Sequence, residues 1–182
     1  RLFATMLLIL GLFTAKGDVT KAFTLNPIDV LLHGEQMPGT EVAGDWAGAT
    51  AATTVCLLLK CLEGLKQSGN IWQVAHSGFL NKLVLPNHHC TLHQSVIEPC
   101  MFIGHCSAGI IAILVWVDDI WIGFSVLSLY QEFVALYCKR FPSTHSPGCT
   151  SFAGLTINYK RKHSITIHHR PHSETASNRF IP

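Results

Sequence analysis

The stretch ILVWVDDIWIGF, residues 113–124, sets two adjacent aspartates, Asp118 and Asp119, inside a run of apolar and aromatic residues. An unpaired buried carboxylate is costly and two neighbouring ones repel, so the pair needs either solvent or a cation. On a continuous strand, adjacent side chains point to opposite faces, and both acids can serve one site only where the chain turns. The pattern therefore predicts a hairpin, with Ile113 to Val117 running up, the two aspartates at the tip, and Ile120 to Phe124 running back. A plain solvated turn satisfies the same spacing, and local sequence leaves the two readings open.

A third carboxylate, Asp18, also stands in an apolar, strand-like context, followed by Val19 and then Ala22-Phe23. Three carboxylates converging from two segments would bind oxygen-preferring divalent cations, typically Mg²⁺. A pair of such ions can bind a triphosphate, activate a hydroxyl and stabilise leaving pyrophosphate in an in-line displacement. Spacing alone does not bring Asp18 to Asp118, which lies 100 residues further along the chain. A second, weaker constellation is HHCTLH, in which Cys90 and His93, with Cys100 and Cys106 beyond, have a spacing open to zinc but match no closed-site pattern well.

Behind these residues stand the elements that must position them. Residues 2–15 are apolar nearly all round and predict a buried helix. GDVTKAF (17–23) predicts a short strand, residues 28–40 a hairpin closing at Pro38-Gly39, and the small, polar residues 41–54 a surface loop. Ile71, Trp72, Ala75, Phe79, Leu80 and Leu83 follow helical spacing, with Ser68 as the cap. EPCMFIG and GIIAILVWV read as strands. Residues 126–141 read as a helix with the stripe Val126, Leu129, Tyr130, Phe133, Val134, Tyr137 and Phe141. SFAGLTINY and SITIHH predict two last strands around a basic turn, Lys160 to Lys162. Strands and helices mixed in this way predict an α+β domain on a mainly antiparallel sheet.

Composition bounds the rest. The 182 residues suit one domain or part of a larger one, and 48% hydrophobic with 13% charged residues excludes a disordered chain. A net charge of +2 is too small to argue for nucleic acid by itself, but its distribution is uneven. No Lys or Arg occurs between Lys82 and Lys139, whereas Lys160, Arg161, Lys162, Arg170 and Arg179 crowd the end of the chain against Glu174 alone. The middle calls for cations and the end could meet phosphates. Seven cysteines without framework spacing predict reduced, mostly buried thiols and an intracellular setting. The opening LFATMLLILGLF falls short of the ~20 apolar residues that cross a bilayer, so no membrane partner is expected.

The order of motifs resembles the reverse transcriptase of copia-type long-terminal-repeat retrotransposons. GDVTKAF looks like that family's first catalytic strand, EQMPGTE like its Pro-Gly hairpin, and LLLKCLEGLKQSGNIW like its Leu-x-Gly-Leu-Lys-Gln signature. IEPCMFI and LVWVDD resemble the strand before the catalytic pair and the pair itself; FAGLTINY and ITIHHRPH resemble two later segments. The resemblance spans nearly the whole chain and implies a polymerase palm-like antiparallel sheet with packed helices, a partial domain over residues 1–182 with the fingers region largely missing. It implies template-directed addition of deoxynucleotides, with Asp18, Asp118 and Asp119 as catalytic residues and ligands of Mg²⁺ or Mn²⁺. Gly64, Leu65, Lys66 and Gln67 would meet nucleotide and template, and the basic group Lys160, Arg161, Lys162 and Arg170 would make weaker nucleic-acid contacts. The partners implied are an RNA or DNA template-primer, deoxynucleotide triphosphates and the remainder of a retroelement polyprotein. The chain departs from the family at Trp116 and Glu63, where tyrosines are usual, at Ala153, where leucine is usual, and at His169 and His172, which replace Gln and Tyr. A catalytically inactive retroelement remnant is the alternative that the same motifs allow.

Overall fold

Apolar alternation and turn chemistry resolve into strands and helices in the computed structural model, which describes residues 1–45 and 47–169. The chain opens with α1 (Leu2–Ile9) and β1 (Phe13–Val19), followed by β2 (His33–Gly34) and β3 (Cys56–Leu57). Next come α2 (Ser68–Leu80), β4 (Val84–Leu85), β5 (Cys90–Gln94), β6 (Met101–Cys106), β7 (Gly109–Trp116) and β8 (Asp119–Phe124). After α3 (Leu127–Arg140) come β9 (Ser143–Pro147), β10 (Ser151–Phe152), β11 (Leu155–Lys160) and β12 (Ser164–His168). The class is α+β. The described residues divide into two units, one holding 1–22 with 75 onward, the other 23–74.

The first unit is built on a seven-stranded sheet in the order β4-β5-β6-β7-β8-β1-β9, whose neighbouring strands all pair antiparallel. The register assigns every side chain to one of two faces, because residues opposite each other project the same way. Met101, Ala112 and Trp121 fall on one face, joined by α1 and a small sheet, β10-β11-β12. There Phe3 and Phe152 pack on the Trp121 ring with centroids 5.2 and 5.7 Å away. Such ring pairs add about 1 kcal/mol each beyond the area they bury. The Tyr159 hydroxyl lies 2.9 and 2.8 Å from the carbonyls of Leu7 and Leu12, tying the end of α1 to β11.

Ile111, Ile113, Ile120 and Ile122 fall on the opposite face and are fully buried. The stripe Leu129, Phe133, Tyr137 and Phe141 at four-residue spacing is fully buried too, and Tyr130 of α3 stacks on Phe124 at 4.7 Å. His76, near the end of α2, is buried with its Nε2 2.6 Å from the Tyr137 hydroxyl. A second buried polar group, Glu132 of α3, accepts the Asn87 amide at 2.7 Å and meets the His88 ring, whose far nitrogen reaches Ser128 at 2.9 Å. Partners of this kind offset the cost of burying a carboxylate.

In the second unit β2 pairs with β3, and flanking backbone bonds extend the ladder irregularly: Ile28 N to Leu59 O at 3.3 Å and Cys61 N to Asn26 O at 3.1 Å. The Gln36 side chain reaches the carbonyls of Val42, Ala51 and Thr54 and accepts the Val42 amide, closing the exposed loop beyond it.

Several expectations need correcting. The opening helix stops at Ile9, because Gly11 takes a left-handed φ of +57° and Phe13 onward joins the sheet; Ile9 is 76% exposed, so the helix is not buried all round. Residues 28–40 form no hairpin of their own: the partner of His33–Gly34 is Cys56–Leu57, although Pro38-Gly39 does turn, with Thr40 N bonded to Met37 O. Ser68 begins α2 rather than capping it, and its buried hydroxyl finds no partner among the described residues. SFAGLTINY is two strands, not one, reversing at Ala153-Gly154 where both φ angles are positive. The cysteines are all free, but only Cys61, Cys90 and Cys149 are buried. No described helix is long and apolar enough to cross a membrane.

Candidate functional site

β7 and β8 form the expected hairpin, but its two-residue loop is Val117 and Asp118 and not the two aspartates: Asp119 already pairs with Trp116 as the first residue of β8. Two-residue hairpin loops need a positive φ at their first position, where glycine is favoured. Val117 takes that position with φ +55°, and it is the β-branched member of the left-handed residues among those described. The conformation is unfavourable for such a side chain, so the surrounding pairing holds the turn in place.

Tertiary pairing then brings in the third acid. β1 lies beside β8 with Asp18 directly opposite Asp119, and the Val19 amide donates to the Asp118 carbonyl at 2.9 Å. Asp18 and Asp118 are exposed, and Asp119 is half-buried. The three acids singled out by residue type thus gather at one end of the sheet. On the outer flank of β1, exposed Thr144 of β9 stands opposite Asp18.

Asp119 is the most constrained of the three. Its Oδ1 lies 2.8 Å from Lys16 Nζ, and its Oδ2 accepts the Ala153 amide at 3.0 Å. Lys16 precedes Asp18 by two residues on β1 and so shares its face; its ammonium also lies 3.4 Å from Ser151 Oγ. Partial burial would lower the Lys16 pKa, but the Asp119 hydrogen bond and the charges of Asp119 and Asp18 outweigh it, holding the group above its ordinary value. The strand reading of GDVTKAF did not extend to Lys16, yet a cation two positions before an acid on one strand is a legible signal of a shared face. The Ala153 amide carries no such signal, because its position depends on the β10-β11 turn.

The two tryptophans beside the pair part company. Trp121 is core, whereas Trp116 is 60% exposed at the hairpin end. As a donor set, two exposed carboxylates with a third beside them suit a hard cation such as Mg²⁺, which takes one or two protein carboxylates and completes its shell with water and phosphate oxygens. Asp18 and Asp118 have the exposure such a role requires, while Asp119 is engaged by Lys16. Among the described residues no three His, Cys, Asp or Glu side chains are already gathered closely enough to hold an ion.

The remaining residues fall elsewhere. Gly64, Leu65, Lys66 and Gln67 belong to the second unit and form the turn leading into α2, with Gly64 at φ +86° and Lys66 exposed. Lys160, Arg161 and Lys162 form the exposed β11-β12 turn, but Arg161 is engaged: its Nε donates to Gly11 O at 2.7 Å and its guanidinium stacks 3.6 Å over Phe13. Arg170 lies outside the described residues, as does His172. The zinc reading fails on strand parity, since Cys90 and His93 are three apart on β5 and point to opposite faces. Burial, with the neighbouring Cys106 thiol, also pushes Cys90 up to about 11, so it stays a thiol.

No protein-family model matches the chain, and no curated protein matches it.

Proposed function

We propose that this chain is the palm portion of a copia-type retrotransposon reverse transcriptase, an RNA-directed DNA polymerase whose site is built on Asp18 and Asp118 with Asp119 beside them. What carries the reading is the pairing of β1 with β8, which sets Asp18 opposite Asp119 and bonds Val19 to the Asp118 backbone. That pairing brings two segments 100 residues apart to one end of an antiparallel sheet, which supports the reading.

Asp18 and Asp118 would hold Mg²⁺ or Mn²⁺, which supplies charge neutralisation for a triphosphate and activation of a primer hydroxyl. The chain's own contributions are positional. Val19 fixes the tip backbone, Ala153 and Lys16 orient Asp119, and the exposed Trp116 ring offers a flat surface beside the acids. Lys160 and Lys162, in the same unit as the acids, would contact backbone phosphates. Free thiols suit a reducing compartment, as an intracellular polymerase requires.

The alternative, an inactive remnant of the same element, draws on a specific observation: Lys16 already occupies Asp119. Primer extension on an RNA template with Mg²⁺ or Mn²⁺ separates the two. An active polymerase incorporates deoxynucleotides and loses that activity in Asp18→Asn and Asp118→Asn. Incorporation no greater than that of the Asp118→Asn control refutes polymerisation and leaves the remnant.

A further inference from the structure

Three carboxylates at one sheet end repel one another unless a cation lies among them. Within the described residues this chain supplies its own. Lys16 projects from β1 on the face that carries Asp18, and its ammonium lies 2.8 Å from Asp119 Oδ1, both side chains being largely shielded from solvent. The other Asp119 oxygen is held by the Ala153 amide at 3.0 Å. Ser151 Oγ, 3.4 Å from Nζ, steadies the ammonium from the neighbouring hairpin. Each Asp119 oxygen therefore already has a partner, whereas Asp18 and Asp118 are exposed.

We infer that Lys16 is a built-in counter-ion that withholds Asp119 from divalent cations, so that the resting site presents two carboxylate ligands rather than three. The inference rests on the reading of these acids as a cation site. Its physical basis is competition: the ammonium already neutralises the negative charge of Asp119 Oδ1 that a divalent ion would use, and an ammonium beside the site repels the ion. Removing the lysine charge frees one oxygen and deletes that repulsion at once. The lysine acts through Asp119 and is a positioning residue.

The test is Mn²⁺ binding to the full chain, read by the loss of the free-ion electron paramagnetic resonance signal, with no polymerase assay involved. Lys16→Gln should bind Mn²⁺ about tenfold more tightly than the unaltered chain. Lys16→Arg, which keeps the charge, should bind like the unaltered chain and checks that the strand tolerates substitution. Asp119→Asn alone leaves the Lys16 ammonium without its partner and should weaken binding, and it should cancel the gain when combined with Lys16→Gln, the signature of coupled neighbours. Equal or weaker binding by a folded Lys16→Gln chain overturns the inference, as does a double variant that stays as tight as Lys16→Gln. If Lys16→Gln tightens binding through Asp119 but Asp118→Asn does not weaken it, the counter-ion role stands and the reading of Asp118 as a ligand falls.

Discussion

Acidification from pH 7 to pH 5 should remove about 2 kcal/mol of folding stability through His76 alone. The ring is 2% exposed, its Nε2 meets the Tyr137 hydroxyl at 2.6 Å, and the Tyr137 and Phe141 rings stand edge-on at 5.6 and 5.3 Å. Burial among these groups favours the neutral imidazole and lowers its pKa from 6.5 to about 4. Between those two values the unfolded chain binds a proton that the folded chain refuses, so stability is full above pH 6.5 and falls as the pH drops toward 4. Each pH unit crossed in that window removes ~1.4 kcal/mol, which makes the loss about 2 kcal/mol at pH 5 and about 3 kcal/mol at pH 4. His145, whose pKa burial also lowers, adds a loss of the same sign. Urea unfolding at pH 7, 6 and 5 measures the slope, and His76→Gln, which keeps a polar group near Tyr137 but does not titrate, isolates the His76 part. Stability that is flat or rising toward pH 5, or an identical slope in His76→Gln, would rule out a buried neutral His76 as the source of the acid sensitivity.

Two further expectations concern the packing on either side of the sheet. A Cβ added at Gly123 would run into Leu7 Cδ2 and lie 3.2 Å from Leu12 Cδ1, and Leu7 is fully buried; Gly123→Ala should therefore cost about 1–3 kcal/mol, read as a lower urea midpoint. On the opposite face Phe133 is fully buried and its ring stands 5.3 Å from Tyr137, so Phe133→Ala should cost about 3–5 kcal/mol by the same measurement.

The acidic hairpin, the α3 stripe and the strands β6 to β8 were legible because each is written locally. Apolar alternation or four-residue spacing runs through them without interruption, and a charged pair in an apolar run has few places to go. The α+β class follows from the same signals. Other elements are written only in their partners. β9 reads STHSP, with no apolar alternation, and is a strand because β1 offers it an edge to pair with. β4 and β2 are two residues long and carry almost no pattern of their own. The opening apolar run misleads for a related reason: its composition suits a buried helix, but Gly11 turns the chain so that Phe13 to Val19 can pair between β8 and β9.

The same division runs through the site. Residue types alone determined that Asp118 and Asp119 need a turn with either solvent or a cation, because that follows from strand parity and the cost of burying charge. Tertiary structure decided which of the acids has a cation at hand. Only the β1-β8 register sets Asp18 beside the hairpin and Lys16 against Asp119, and only the β10-β11 turn delivers the Ala153 amide. Those contacts join residues more than 30 positions apart in sequence, where no local periodicity extends.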